Sequence, residues 1–236
     1  MERGVGRFRD RLRGWFGRYA IEDPRPTAAK APYTFYLPSE NELLAVSPGD
    51  LVKLIFRSIP DSGEWDAERM WVIVTAAEGA RLTGTLDNDP LDMPQLKAGD
   101  AVTFDRAHII DIDWSEDRAA PPPTAPERRE YWDRCFVDDQ ILDGRLKVEF
   151  LYREEPDPPR EGDKYPDSGW RFRCDTRGLT DAEYDNPSFS YIALGKVLNG
   201  DDSWLHLIDA PVGSAFLRDR DTGAFHPTAM PDVGDD

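Results

Sequence analysis

The chain has 236 residues, 39% hydrophobic and 32% charged, with a formal net charge of −17. That length allows one large domain or two small ones, each with its own core. No apolar run approaches the roughly 20 residues a membrane span needs, no secretory pattern opens the chain, and an acidic body repels phosphate backbones, which argues against nucleic-acid binding. Cys135 and Cys174 are the only cysteines. Two are too few for a disulfide framework or a four-thiolate zinc site and suit reduced thiols in a cytoplasm.

Residues 1–20 break the acidic trend, with six Arg against Glu2 and Asp10. On a helix, Val5, Phe8, Leu12, Trp15, Phe16 and Tyr19 fall within one arc and every Arg lies outside it, which predicts a basic amphipathic helix. Four glycines weaken it, so it needs a surface to fold against: its own body, another subunit or an anionic membrane. A linker, "EDPRPTAAKAP", follows.

Residues 33–114 read as a small β-rich domain resembling a partial barrel. "SENELLAV" predicts a short helix with Ser39 as N-cap and Glu42 three residues on. "SPGDLVKLIFRSI" is a turn and a strand. "ERMWVIVTAAEGARLTGTLDNDP" is two strands joined at Glu78-Gly79, ended by Pro90. "LKAGDAVTFDRAHIIDIDW" is a turn, a strand and a second apolar run. Residues 115–130, "SEDRAAPPPTAPERRE", read as a Pro-rich linker.

Residues 131–230 read as a second small domain. "CFVDDQILDGRLKVEFLYREE" predicts a hairpin turning at Asp143-Gly144. "WRFRC" predicts an alternating strand, and "LTDAEYDNP" a short helix capped by Thr180. "SYIALGKVL" suits strand or helix. "SWLHLIDAPVGSAFLRD" predicts a buried strand, a turn at Pro211 to Gly213 and another strand. The fold class expected is α+β, mostly β: two small domains of short antiparallel strands with few helices.

The last stretch holds Ser, His and Asp near one another and invites a hydrolase reading. On a strand, His206 shares a face with Trp204 and Ile208, while Asp209 lies on the other face. Ser214 lacks the G-x-S-x-G elbow, since Pro211 and Phe216 hold the glycine positions. A core-edge histidine with a backbone partner is therefore expected. No zinc spacing, EF-hand or phosphate-binding glycine loop is present, so neither a cofactor nor an enzymatic activity is expected. Seven Trp remain. They suit half-buried positions, and beside carboxylates they also describe a binding face for a basic protein.

Two strings carry a resemblance. "ERMWVIVTAAEGARLTGTLDNDPLDMPQLKAGDAVTF" resembles an uncharacterised bacterial domain family with the pattern E-R-M-W-V, G-x-L-x-N-x-P and L-K-x-G-D. Asp143-Gly144, Tyr152-Arg153, Asp167-Ser168-Gly169-Trp170 and Pro211-Val212-Gly213-Ser214-Ala215-Phe216 resemble the immunity-protein-33-like family of bacterial polymorphic toxin systems. The second resemblance implies a cytoplasmic bacterial protein that binds and neutralises a toxin by occlusion and charge complementarity, without catalysis. Its partner would be a protein, in particular a basic toxin domain. Candidate partner-facing residues are Tyr152, Arg153, Asp167, Trp170, Asp201 and Asp202, with Pro211 and Gly213 forming a structural turn. The alternative is a structural or regulatory two-domain protein whose N-terminal helix mediates homo-oligomerisation or membrane-surface attachment.

Overall fold

A computed structural model of the chain describes residues 17–60, 65–159, 161–162 and 164–231. They divide into two compact units: the residues up to Lys30 with Phe35–Arg128, and Ala31–Thr34 with Arg129 onward. Tyr33 and Thr34, which the sequence places at the start of the first domain, belong to the second unit. There the side chain of Asn199 accepts from Tyr33 N (2.9 Å) and donates to Thr34 Oγ1 (2.7 Å).

The first unit is one sheet of six strands: β1 (Arg18–Ile21), β2 (Leu51–Ile59), β3 (Ala67–Glu78), β4 (Arg81–Leu86), β5 (Ala101–Asp105) and β6 (Asp111–Asp113). All pairings are antiparallel and run β1-β2-β3-β4-β5, after which β6 returns to β2. One edge of β2 serves β3 along its length. The other is shared, with β6 beside Leu51–Lys53 and β1 beside Phe56–Ile59. The sheet thus curls back on itself, as the short strands and Gly-Asp turns suggest. Alternation puts Val52, Leu54, Phe56, Met70, Val72, Val74, Leu82, Val102 and Phe104 inside. Two short helices are present, α1 (Arg25–Lys30) and α2 (Glu40–Ala45), and Ser39 with Glu42 forms the expected capping box on α2.

The N-terminal helix expected over residues 1–20 falls, for residues 1–16, outside the described residues. Its last residues are not helical. Arg18–Ile21 form β1, and Tyr19 lies 5.5 Å from Phe56 against the first core. Two inward residues at i and i+2, Tyr19 and Ile21, suit a strand on this sheet edge better than a last helical turn.

The linker expected over 115–130 begins inside the first unit. Arg118 pairs with the buried Asp50, donates to Ala45 O (2.9 Å) and lies 4.5 Å over Trp114. Ser115 N donates to Asp50 Oδ1 (3.1 Å).

The second unit holds β7 (Arg134–Asp138), β8 (Val148–Arg153), β9 (Asp167–Cys174), β10 (Phe189–Ala193), β11 (Ala215–Arg218) and β12 (Phe225–Pro227), with helices α3 (Asp139–Leu142), α4 (Asp181–Asp185) and α5 (Leu194–Gly200). The strand order is β10-β7-β9-β8-β11-β12, antiparallel except for the parallel pair β7 and β9. Both units match the α+β, mostly β expectation.

Three local expectations change. The hairpin at Asp143-Gly144 does not form: β7 and β8 both pair with β9, which lies between them. Residues 139–142 coil into α3 instead, burying Gln140 and Ile141 and carrying the chain past the sheet. "WRFRC" lies in that central strand, so all but Arg173 of its residues are buried rather than alternating. "SWLHLID" is not a strand: Leu205–Leu207 form a 3-10 turn beside the buried Trp204, whose ring lies 4.5 Å from Phe172. "SYIALGKVL" is strand and then helix, changing at Ala193. Thr180 caps α4 through a complete capping box, as expected.

Candidate functional site

The two faces of the second sheet differ in kind. Cys135, Val137, Leu151, Trp170, Phe172 and Cys174 point to one face and pack with α3 and α5 through Ile141, Leu194, Val197 and Leu198. The residues between them form the opposite face. Register sets Tyr191, Phe136, Arg171, Tyr152 and Ala215 in one row across five strands. A second row holds Phe150 with Leu217, and Phe189 lies opposite Asp138. Phe189 is 55% exposed and Leu217 46%. Phe136 lies 5.6 Å from Phe189 and 4.9 Å from Tyr191, and Phe150 stacks on Tyr152 at 5.4 Å. Aromatic residues repeated on an open sheet face are a binding-surface composition.

A shallow groove of about 240 Å³ opens on this face, lined by the rings of Phe136, Tyr152 and Phe189 and by Arg171, Arg173, Glu154 and Asp157. Arg171 is held by Asp167 (3.0 and 2.8 Å) and by Glu154 (2.5 Å), and its guanidinium lies 4.7 Å over Phe136. Burial alone would push Asp167 up. The Arg171 pair and the backbone N–H groups of Asp157 and Gly169 outweigh it and hold the carboxyl below its usual range.

The residues expected to face a partner separate into three groups. Tyr152 is on the open face. Arg153, Asp167 and Trp170 form, with the turn residues, a structural node. Arg153 donates to the carbonyls of Ser168 (3.1 Å) and Ala210 (2.8 Å), while its backbone carbonyl accepts from Gly213 N (2.7 Å). Trp170 is fully buried and its indole donates to Ile208 O (3.3 Å). Between them, Ser168 Oγ donates to Arg134 O (2.7 Å) and Gly169 takes φ 79° against the Glu154 carbonyl. The motifs at 152–153, 167–170 and 211–216 therefore meet; before β11, Pro211 O accepts from Ser214 N (3.1 Å) and Gly213 takes φ 88°.

The third group is Asp201 and Asp202. Asp201 is nearly buried against Arg218 and accepts from Ser203 Oγ (2.6 Å), so its charge is committed inside the unit. Asp202 is exposed and accepts from Tyr33 Oη (2.8 Å), which pushes the Tyr33 phenol up to about 12. His206 is exposed on the 3-10 turn, not at the core edge, and Asp209 is held by Arg129 (2.7 Å). Among the described residues no group of three or more His, Cys, Asp or Glu is placed to hold a metal ion. No described helix is long and apolar enough to cross a membrane.

Sequence reasoning missed Phe136, Phe150, Arg171, Phe189 and Tyr191. For three of them the signal was present: "FSYIA" and "EFLYR" each carry two aromatic residues at i and i+2.

This geometry coincides with one of two family assignments. Residues 135–229 match the Immunity protein Imm33 domain. Residues 27–120 match an uncharacterized protein family conserved in bacteria, DUF2314. The Imm33 match covers all six strands of the open-faced sheet except the first residue of β7. No curated protein and no solved structure matches the chain.

Proposed function

We propose that the protein is a bacterial, cytoplasmic immunity protein that binds a cognate toxin through the open face of the second sheet and neutralises it by occlusion. The observation that carries this reading is the aromatic row Tyr191–Phe136–Arg171–Tyr152 on a sheet face within the segment that matches an immunity-protein domain. Large, stiff side chains of this kind dominate protein–protein contacts. The reading needs no catalytic step and no cofactor. The acidic body adds electrostatic attraction for a basic toxin domain, which raises the rate of encounter more than the strength of the complex.

The alternative, self-association or membrane attachment through residues 1–20, rests mainly on residues outside those described. The two separate by experiment. The product of the neighbouring open reading frame is co-expressed with this chain and tested for co-purification. A stable complex that is lost with Phe189→Asp and Leu217→Asp supports the reading. A complex indifferent to both substitutions removes the sheet face from it. Loss of oligomers or liposome binding on deleting residues 1–20, with no toxin partner, favours the alternative.

A further inference from the structure

Arg171, which lines the groove, has little hydrogen-bonding capacity left. Arg171 donates through Nε to Glu154, through Nη1 to Asp167 Oδ1 and the Trp170 carbonyl, and through Nη2 to Asp167 Oδ2. A guanidinium has five N–H donors, and these bonds use all but one. The group lies 4.7 Å over the Phe136 ring and its side chain is only 6% exposed, so it meets the groove as a nearly covered, already paired charge. The walls are the rings of Phe136, Tyr152 and Phe189.

This combination selects its occupant. An anion finds Arg171 with all but one of its donors spent, Arg173 already paired with Asp138, and Asp167 and Glu154 beside them. A cation must sit on the positive charge of Arg171. A flat π system meets the rings of Phe136, Tyr152 and Phe189 edge-on or offset. Asp138, Glu154, Asp157 and Asp167 outnumber Arg171 and Arg173 around the groove, so the surface that carries the ring is complementary when it is basic.

We propose that the groove receives one aromatic side chain of the protein partner, presented on a basic surface. The proposal rests on the open sheet face being the partner site and specifies its anchor. A socket of this size, walled by rings and placed on a sheet face, is the setting in which a single aromatic anchor carries much of the binding energy.

The test uses the full chain and capped amino acids as probes, so it does not depend on finding the toxin. N-acetyl-tyrosinamide, N-acetyl-leucinamide and N-acetyl-argininamide are titrated while the Arg171 Nε–Hε and Tyr152 amide resonances are followed by NMR. The expected result is a saturable shift with the tyrosine probe, an affinity several-fold weaker with the leucine probe, and a loss of about threefold or more on Phe189→Ala, whose exposed side chain the fold does not need. Tightest binding by the arginine probe, or no saturable shift with any probe, overturns the proposal. Neither outcome touches the immunity reading, which stands or falls on co-purification. A toxin complex that survives Phe189→Ala at full strength also overturns the anchor while leaving the reading intact.

Discussion

Asp50 and Arg118, 68 positions apart, form an ion pair in which the carboxylate is wholly buried. The carboxylate also accepts from Ser47 N (2.8 Å) and Ser115 N (3.1 Å). Burial would push the Asp50 carboxyl up, but the guanidinium and the two amides hold it below its usual range. Removing one member of such a pair strands the other charge in the core.

Arg118→Ala should therefore cost about 3 kcal/mol of the first unit's stability, because the uncompensated Asp50 remains buried. The measurement is urea unfolding. A double variant, Asp50→Asn with Arg118→Met, should recover part of the loss, and a double variant no better than Arg118→Ala would contradict the argument.

The Asp167–Arg171 pair is expected to add to the second unit's resistance to acid. The folded carboxyl titrates below its unfolded value of about 3.9, so its stabilisation is complete above that pH. It fades as pH falls through the depressed folded value. Acid unfolding of the second unit is expected below about pH 4. Asp167→Asn should lower stability at pH 7 and flatten the pH slope, read by thermal melts across a pH series. An unchanged slope would mean that other carboxylates carry it.

Gly169 cannot carry a side chain. Its φ is 79°, and a Cβ there would lie 2.2 Å from the Glu154 carbonyl oxygen. Gly169→Ala should destabilise the chain by about 3 kcal/mol, from backbone strain together with separation of β8 and β9. Gly144→Ala is the control: the backbone there is also left-handed, but nothing lies within 4 Å of the added atom. Its loss should be about 1 kcal/mol.

Cys135 and Cys174 are free and buried. Burial pushes both thiols up, Cys174 to about 12 with the Asp138 carboxylate adding to the effect. Thiolates are scarce at pH 8 and access is closed, so alkylation by iodoacetamide should wait for unfolding. Labelling followed against urea concentration should track the loss of native circular dichroism. Fast labelling of the native chain would mean that the second core opens locally.

What the sequence revealed is what local chemistry decides. Ser39 with Glu42 and Thr180 with Glu183 each announce a helix start because a capping box closes within four residues. β3 and β4 announce themselves by alternation and by a turn that Gly79 permits. The misreadings all involve a partner far away in the chain. β7 and β8 look like a hairpin until β9 enters between them. Trp170 looks like an interface tryptophan until Trp204 and Phe172 surround it. Asp201 looks like a steering charge until Arg218 reaches it. The open face escaped notice because its residues come from five strands, and only register aligns them.

The position of β9 has a consequence for how the second sheet assembles. On a chain being synthesised, β7 and β8 emerge before the strand that separates them. For that interval the pair can close on each other around Asp143-Gly144, in the hairpin their own residues suggest. The native order then requires that pairing to open, or never to form, so that β9 can add to β7 in parallel and to β8 in antiparallel. Such non-local pairing is slow and leaves strand edges bare while it waits. Until β9 follows, the unit has two neighbouring strands and no correct way to join them.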